Sequence, residues 1–189
     1  HSIPCFGYKI TIPRSGKFSV EWAREAGIPV SCWNRLQHGE AVEYEGHFFT
    51  PDMVMGEARR GISLVYCTDT RPIPRIAEKA KDVDLFICEG MYGEEDKLSN
   101  AKKHKHMTME EAAILGREAR PREMWLTHYS PSEVYPEQYK DKFSHIFPVK
   151  FARDAWSKDI SFEEEEEGKQ KTIIDCLSLI HISEPTRPY

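Results

Sequence analysis

The chain has 189 residues, 40% of them hydrophobic and 11% aromatic, which is enough for one globular domain with a substantial core. It has no run of about 18 apolar residues, so a membrane-spanning helix is excluded. The net charge of −5 is uneven: residues 163–189 hold seven acidic and three basic residues, which leaves 24 acids and 23 bases in residues 1–162. A near-neutral body can still carry a basic face, so the total charge decides nothing about partners.

The first third of the chain is predicted to contain a strand, a short helix and a hairpin. The run GYKITI has the composition of a strand. The run SVEWAREAG begins at a serine cap and stops at Gly27, which predicts a short helix. The run EAVEYEGHFFT is typical of a hairpin with its turn at Glu45 and Gly46.

Apolar strands and helices alternate in the rest of the chain. The predicted strands are GISLVYC, which runs into the polar loop TDTRP, VDLFICEG and EMWLTH. The predicted helices are PRIAEKAKD, TMEEAAILGREA and PEQYKDKFSHI, and the second has Thr108 and Glu111 at capping-box spacing. Uniformly apolar strands between helices predict an α/β layered domain.

The last 27 residues differ in character. Residues 163–176 begin with a run of five glutamates, which predicts a solvated, disordered tail. The run LSLIHISEPTRP resembles the translation of a transposase sequencing-library adapter, so residues 177–189 are expected to be foreign sequence. An ordinary C-terminal strand is the alternative.

The five cysteines form no CxxC motif and no spacing typical of disulfides. Cys67 and Cys88 lie in apolar strand-like runs. We interpret them as buried free thiols of a protein in a reducing compartment, which favours the cytoplasm.

Three polar residues come directly after or shortly beyond apolar runs of the predicted strands: Asp69 after SLVYCT, Glu89 after DLFIC and His128 after MWLT. Open α/β sheets gather their sites at the carboxyl ends of strands, so these residues are expected to converge. Aspartate and histidine suit Zn²⁺ or Mn²⁺. Taken singly, Asp69 is as well explained by an Asx-turn and His128 by a hydrogen-bonded core histidine.

Five motifs occur together in this chain: HSIPCFGY, CTDTRP, DLFICEGMYG, KHMTMEEAAILG and MWLTHYSPS. In order and spacing they resemble ribonuclease Z, the tRNA 3′-end processing endonuclease family of the metallo-β-lactamase superfamily. The resemblance runs from His1 to about Asp159. It implies that residues 1–162 form the C-terminal half of an αββα sandwich, with an exosite arm inserted at about residues 9–61.

The resemblance also implies a site with two Zn²⁺ ions. His1, Asp69 and His128 match metal ligands of the family, with Asp69 as the bridging carboxylate. The family's HxHxDH motif does not occur in this sequence, so we expect the chain to be a fragment that is inactive by itself. We also expect apolar surface to be exposed where a partner sheet would pack.

His106, in HMT, matches the family's proton donor to the departing oxygen, and Glu89 matches the carboxylate that orients it. Without the resemblance, KKHKH would be interpreted as a solvated basic loop. Two positions depart from the family: Cys88 replaces a histidine, and Ser132 replaces an arginine that could touch phosphate.

The implied arm contains Lys17 and Arg24, while Lys102, Lys103 and Lys105 lie close in sequence to His106. These basic residues are the candidates for RNA phosphate contacts. Trp22 fits either an arm surface or the core side of an amphipathic helix.

The resemblance implies a cytoplasmic homodimer that acts on precursor tRNA and leaves a 3′-hydroxyl. Two alternatives remain open from the residues: a superfamily hydrolase of small phosphodiesters or aryl sulfates, and an RNA-binding module without activity. An arm of about 50 residues favours a large substrate.

Overall fold

The computed structural model describes residues 4–163 and 180–183, and it confirms the α/β class. The chain divides into two compact units. One contains residues 4–12, 62–163 and 180–183, and the other is Pro13–Gly61. Within the described residues, no helix is long and apolar enough to cross a membrane.

The regular elements follow the predicted alternation. The strands are β1 (Tyr8–Arg14), β2 (Val42–Tyr44), β3 (His47–Phe49), β4 (Arg59–Cys67), β5 (Leu85–Glu89), β6 (Met124–Thr127), β7 (Lys150–Phe151), β8 (Ser157–Ile160) and β9 (Ile180–Ser183). The helices are α1 (Val20–Glu25), α2 (Val30–Gln37), α3 (Pro74–Lys79), α4 (Leu98–His104), α5 (Met109–Ala119) and α6 (Lys140–Ser144). A 3₁₀ turn at Pro136–Tyr139 precedes α6, so the last predicted helix is divided in two.

The central sheet has the strand order β1-β4-β5-β6-β7, and β4 to β7 are mutually parallel. Alternate residues of its strands enter two apolar clusters. Cys88 and Leu126, which are register partners, belong to the cluster that contains residues of α3 and α5. Ile87 and Trp125, also register partners, belong to the cluster that includes Ile160. Burial on both faces explains why these strands are apolar throughout.

The carboxyl ends of β4, β5 and β6 lie side by side in this sheet. Cys67 pairs with Cys88, and Glu89 pairs with Thr127. The loops that carry Asp69 and His128 therefore start from β4 and β6, the two strands that flank β5 and its last residue, Glu89. This arrangement places the polar residues that follow each strand at one edge of the sheet.

The unit Pro13–Gly61 has its own small core, which includes Ala23, Leu36 and Val54. Helix α1 begins as predicted, with the Ser19 hydroxyl accepting a hydrogen bond from the Trp22 N–H at 3.2 Å. The hairpin β2-β3 turns at Glu45 and Gly46, both with positive φ, as the sequence indicated.

Three sequence interpretations are corrected by these elements. Helix α2 was not predicted; it begins directly after Pro29, a residue that favours helix starts. The KKHKH run is not a loop, because Lys102, Lys103 and His104 form the last turn of α4 and Lys105 caps it with a φ of 62°. Trp22 is 48% exposed, so the interpretation of this residue as core was wrong.

The C-terminal predictions lie largely outside the described residues. Residues 164–176 of the predicted tail are not described. Of the segment expected to be adapter sequence, only Ile180–Ser183 is described, and it pairs antiparallel with β8. The foreign origin of residues 177–189 stays a prediction.

Candidate metal centre

Asp69 and His128 occupy loops that follow β4 and β6. The Asp69 Oδ1 atom lies 3.0 Å from His128 Nε2, and the two side chains are 39% and 27% exposed. Both residues have left-handed backbones, with φ of 54° and 58°. Such angles are uncommon outside glycine, and both occur just after the chain leaves a strand.

His106 lies in the turn between α4 and α5 and is only 6% exposed. Its ring centroid is 5.3 Å from that of His128. Ligand atoms of Asp69, His106 and His128 all lie within 4.8 Å of one another. One carboxylate and two imidazoles at this spacing fit a divalent ion such as zinc.

Glu89 is fully buried at the end of β5 and forms hydrogen bonds with two loops, one that contains Thr70 and one that contains Met107. Its Oε1 accepts a hydrogen bond from the Thr70 N–H at 2.5 Å. Its Oε2 accepts from the Met107 N–H at 3.2 Å and lies 3.0 Å from His106 Nδ1. A single carboxylate thus contacts the loop that contains Asp69 and the ring of His106.

Burial is the largest influence on the pKa values of Glu89 and His106. It raises the pKa of Glu89 to about 7, opposed by the N–H groups of Thr70 and Met107. Burial also lowers the pKa of His106, and the neighbouring His128 adds to that shift. Both shifts favour the neutral forms, so the carboxyl and imidazole form a desolvated pair.

Comparison with known proteins shows similarity to one family of enzymes. A family model described as a beta-lactamase superfamily domain matches residues 48–129. Ribonuclease Z of Lachnospira eligens is 55% identical over 166 residues, which are 87% of this chain and 55% of that protein. Ribonuclease Z of Lachnoclostridium phytofermentans is 48% identical over 167 residues, 88% of this chain and 55% of that protein. Most of the chain is thus similar to ribonuclease Z proteins, and residues 48–129 are similar to the beta-lactamase superfamily domain. The resemblance to ribonuclease Z inferred from the motifs is confirmed.

The chain spans about half the length of these curated relatives of the superfamily. Among solved structures, a long form RNase Z from yeast is 33% identical over 37% of this chain and 9% of its own, with a TM-score of 0.35. That overlap is too small to carry a structural argument, so the resemblance to ribonuclease Z depends on the sequence relatives.

The remaining predicted site residues are not all brought together. His1 lies outside the described residues. Lys102, Lys103 and Lys105 are exposed at the end of α4, directly before His106. Lys17 and Arg24 are exposed in the other unit, Pro13–Gly61.

The two positions that depart from the ribonuclease Z motifs, Cys88 and Ser132, have different surroundings. Cys88 is fully buried, and its Sγ donates to Met107 Sδ at 3.7 Å. Burial raises the pKa of the Cys88 thiol, so the thiol stays neutral and acts as a small apolar group. Ser132 is exposed and its hydroxyl pairs with that of Ser130 at 2.9 Å.

Sequence reasoning missed two contributors to the candidate metal centre. The Thr70 N–H bonds Glu89, and the Arg71 guanidinium bonds the backbone oxygen of His106 at 2.6 Å. The position of Arg71 within the CTDTRP motif was the available signal. Its partner lies 35 residues away in sequence, so no local spacing could have indicated the contact.

Proposed function

We propose that a protein containing this chain is a zinc-dependent endoribonuclease that removes the 3′ trailer of precursor tRNA and leaves a 3′-hydroxyl. The observation that carries this proposal is the convergence of Asp69, His106 and His128 within 4.8 Å in a chain 55% identical to a ribonuclease Z. As the chain spans about half of that relative, the activity is proposed for the longer protein.

Two zinc ions are proposed for the complete site. Asp69 and His128 would hold them, together with His1 and with ligands outside this chain. The donor set of carboxylate and imidazole is the one that zinc prefers in catalytic sites. When bound, the ions supply Lewis-acid stabilisation of the phosphate charge and activation of the attacking water.

His106 is proposed to supply the proton in this reaction. A water oxygen forms the new bond to phosphorus as that water loses a proton to solvent, and the bond from phosphorus to the tRNA 3′ oxygen breaks. The departing 3′ oxygen receives a proton from the His106 imidazolium, which is then reprotonated from solvent, and the trailer keeps the 5′-phosphate. The contact of 3.0 Å between His106 Nδ1 and Glu89 supports a fixed ring orientation for this transfer.

Precursor tRNA is proposed as the substrate, with phosphate contacts from Lys102, Lys103 and Lys105. Their exposure directly before His106 supports this assignment. Lys17 and Arg24 are proposed to contact tRNA from the arm. A cytoplasmic homodimer is part of the same proposal, and the buried free thiols of Cys67 and Cys88 favour a reducing compartment.

The test is a cleavage assay of the longer protein on a precursor tRNA with a labelled trailer. We expect release of the trailer, loss of cleavage with a chelator, and recovery with Zn²⁺. Bis(4-nitrophenyl) phosphate and an aryl sulfate serve as small-substrate controls. Efficient turnover of either small ester without tRNA cleavage would favour the alternative hydrolase, and chelator-insensitive RNA binding without cleavage would contradict an enzyme.

A further inference from the structure

Arg71 has no role in the chemistry described so far, and its side chain is only 27% exposed. It lies two residues after Asp69, in the loop that follows β4. Its Nη1 donates to the His106 backbone oxygen at 2.6 Å and to Glu111 Oε2 at 2.8 Å. Its Nη2 completes a bidentate ion pair with Glu111 Oε1.

The backbone around His106 is held at three consecutive residues by three side chains. Arg71 binds the oxygen of His106. Glu89 accepts the N–H of Met107 at 3.2 Å, and Glu111 accepts the N–H of Thr108 at 3.0 Å. The segment is therefore fixed from the β4 loop, from the end of β5 and from the first turn of α5.

The same contacts connect the Asp69 loop to the His106 segment. Thr70 donates to Glu89, and Arg71 donates to His106. The residues on the carboxyl side of Asp69 are thus bonded to the groups that hold the His106 ring. A displacement of either loop would change the separation of the two side chains in the site.

Only arginine meets all of these acceptors. Its planar fork directs separate N–H groups at the two oxygens of Glu111 and at the His106 carbonyl. Lysine would keep the charge, but a single ammonium group has no fixed fork to address all three oxygens.

We propose that Arg71 is a positioning residue that fixes the His106 segment relative to Asp69 through the His106 backbone oxygen and Glu111. The inference rests on the proposed function, because it assigns His106 the proton transfer. A merely structural arginine would stabilise the start of α5 without changing the catalytic step.

The first test does not use catalysis. Amide hydrogen exchange of Met107 and Thr108 is compared in the chain and in its Arg71→Lys variant, with Arg75→Gln as the matched control. Arg75 is an exposed arginine in the first turn of α3. We expect exchange at both amides to rise at least tenfold in Arg71→Lys and to stay unchanged in the control.

The second test uses the longer protein and precursor tRNA. Arg71→Lys is expected to lower kcat by about 10–100-fold, the range typical of residues that orient a catalytic group, with KM within about twofold. Glu111→Gln removes the other half of the ion pair and is expected to lower kcat in the same direction. If Arg71→Lys does not fold, Glu111→Gln tests the proposal in its place.

Unchanged exchange with unchanged kcat would overturn the proposal. A rise in KM alone would also overturn it, because it would show that Arg71 contacts the RNA. If the unsubstituted protein does not cut precursor tRNA, the proposed function fails, whereas the exchange experiment still decides whether Arg71 fixes the His106 segment.

Discussion

The buried Glu89 carboxylate lies 3.0 Å from His106 Nδ1, so a carboxylate at the end of β5 contacts an imidazole from the turn between α4 and α5. The same oxygen accepts the Met107 N–H, which fixes the carboxylate as well as the ring. The contact with Glu89 therefore fixes one ring nitrogen of His106.

Glu89→Gln is therefore expected to lower kcat by about 10–100-fold while zinc content stays the same. Glutamine has nearly the same shape but only one acceptor oxygen, so it cannot accept from both the Thr70 N–H and the Met107 N–H that Glu89 holds beside His106. The measurement is single-turnover cleavage together with metal analysis in the longer protein. Glu78→Gln, at an exposed position of α3, is the matched control. Loss of zinc in proportion to activity would show that Glu89 supports the metal ligands instead.

Asp69→Asn and His128→Asn are expected to weaken zinc binding by the longer protein at least tenfold. Asparagine tolerates the left-handed backbone found at both positions, so the loops should keep their course. Isothermal titration with Zn²⁺ measures the affinity, and His47→Asn, at an exposed position of β3, is the control. Equal zinc affinity in all four proteins would exclude Asp69 and His128 as ligands.

Glu123 gives a pH-dependent prediction away from the metal centre. Burial alone would raise the pKa of this carboxyl, but hydrogen bonds from Lys158, Trp125 and Lys150 together hold it below the ordinary value. Lys158 Nζ lies 2.7 Å from one carboxylate oxygen, and Lys150 Nζ lies 3.0 Å from the other. The ionised carboxylate therefore stabilises the fold at neutral pH.

Glu123→Gln is expected to lower the free energy of unfolding at pH 7 by about 2 kcal/mol. A depressed carboxyl pKa contributes its full stability above the unfolded-state value of about 4.3, and loses it as the pH falls through the folded-state value. The difference between the two proteins should therefore shrink below about pH 4. Urea unfolding across pH measures it, and a pH-independent difference would contradict the charge-based explanation.

Two glycines that face each other in the Pro13–Gly61 unit give a matched pair. A Cβ on Gly16 would lie 1.9 Å from the backbone oxygen of Gly56, whereas a Cβ on Gly56 would meet only Lys17 backbone atoms at 3.5 Å or more. Gly16→Ala is expected to cost about 1–3 kcal/mol or more, and Gly56→Ala less than about 0.5 kcal/mol. Urea unfolding followed by Trp22 and Trp33 fluorescence measures both. Equal costs would contradict the close approach of the two backbones.

Much of the fold and part of the site could be predicted because strand ends have a fixed geometry. Asp69, Glu89 and His128 follow apolar strands, and parallel pairing of β4, β5 and β6 brings the carboxyl ends of those strands together. The start of α5 was equally predictable, since Thr108 and Glu111 form a capping box by local spacing alone.

The missed features depend on contacts that local sequence does not encode. No side chain caps the start of α4, and its start at Leu98 lies next to a 3₁₀ turn, so no local signal distinguished a helix from a basic loop. The hydrogen bond from Arg71 to His106 joins residues 35 positions apart, and only the packing of α5 against the sheet creates it. The roles of His106 and Glu89 came from the resemblance rather than from spacing, and these roles remain predictions.

The most direct measurement of the central claim is the chemical identity of the ends formed when the longer protein, loaded with zinc, cuts one precursor tRNA in a single turnover. The account predicts a tRNA with a 3′-hydroxyl and a trailer with a 5′-phosphate, and no cut in Asp69→Asn. A 2′,3′-cyclic phosphate on the tRNA, or a cut that survives both chelator and Asp69→Asn, would contradict it.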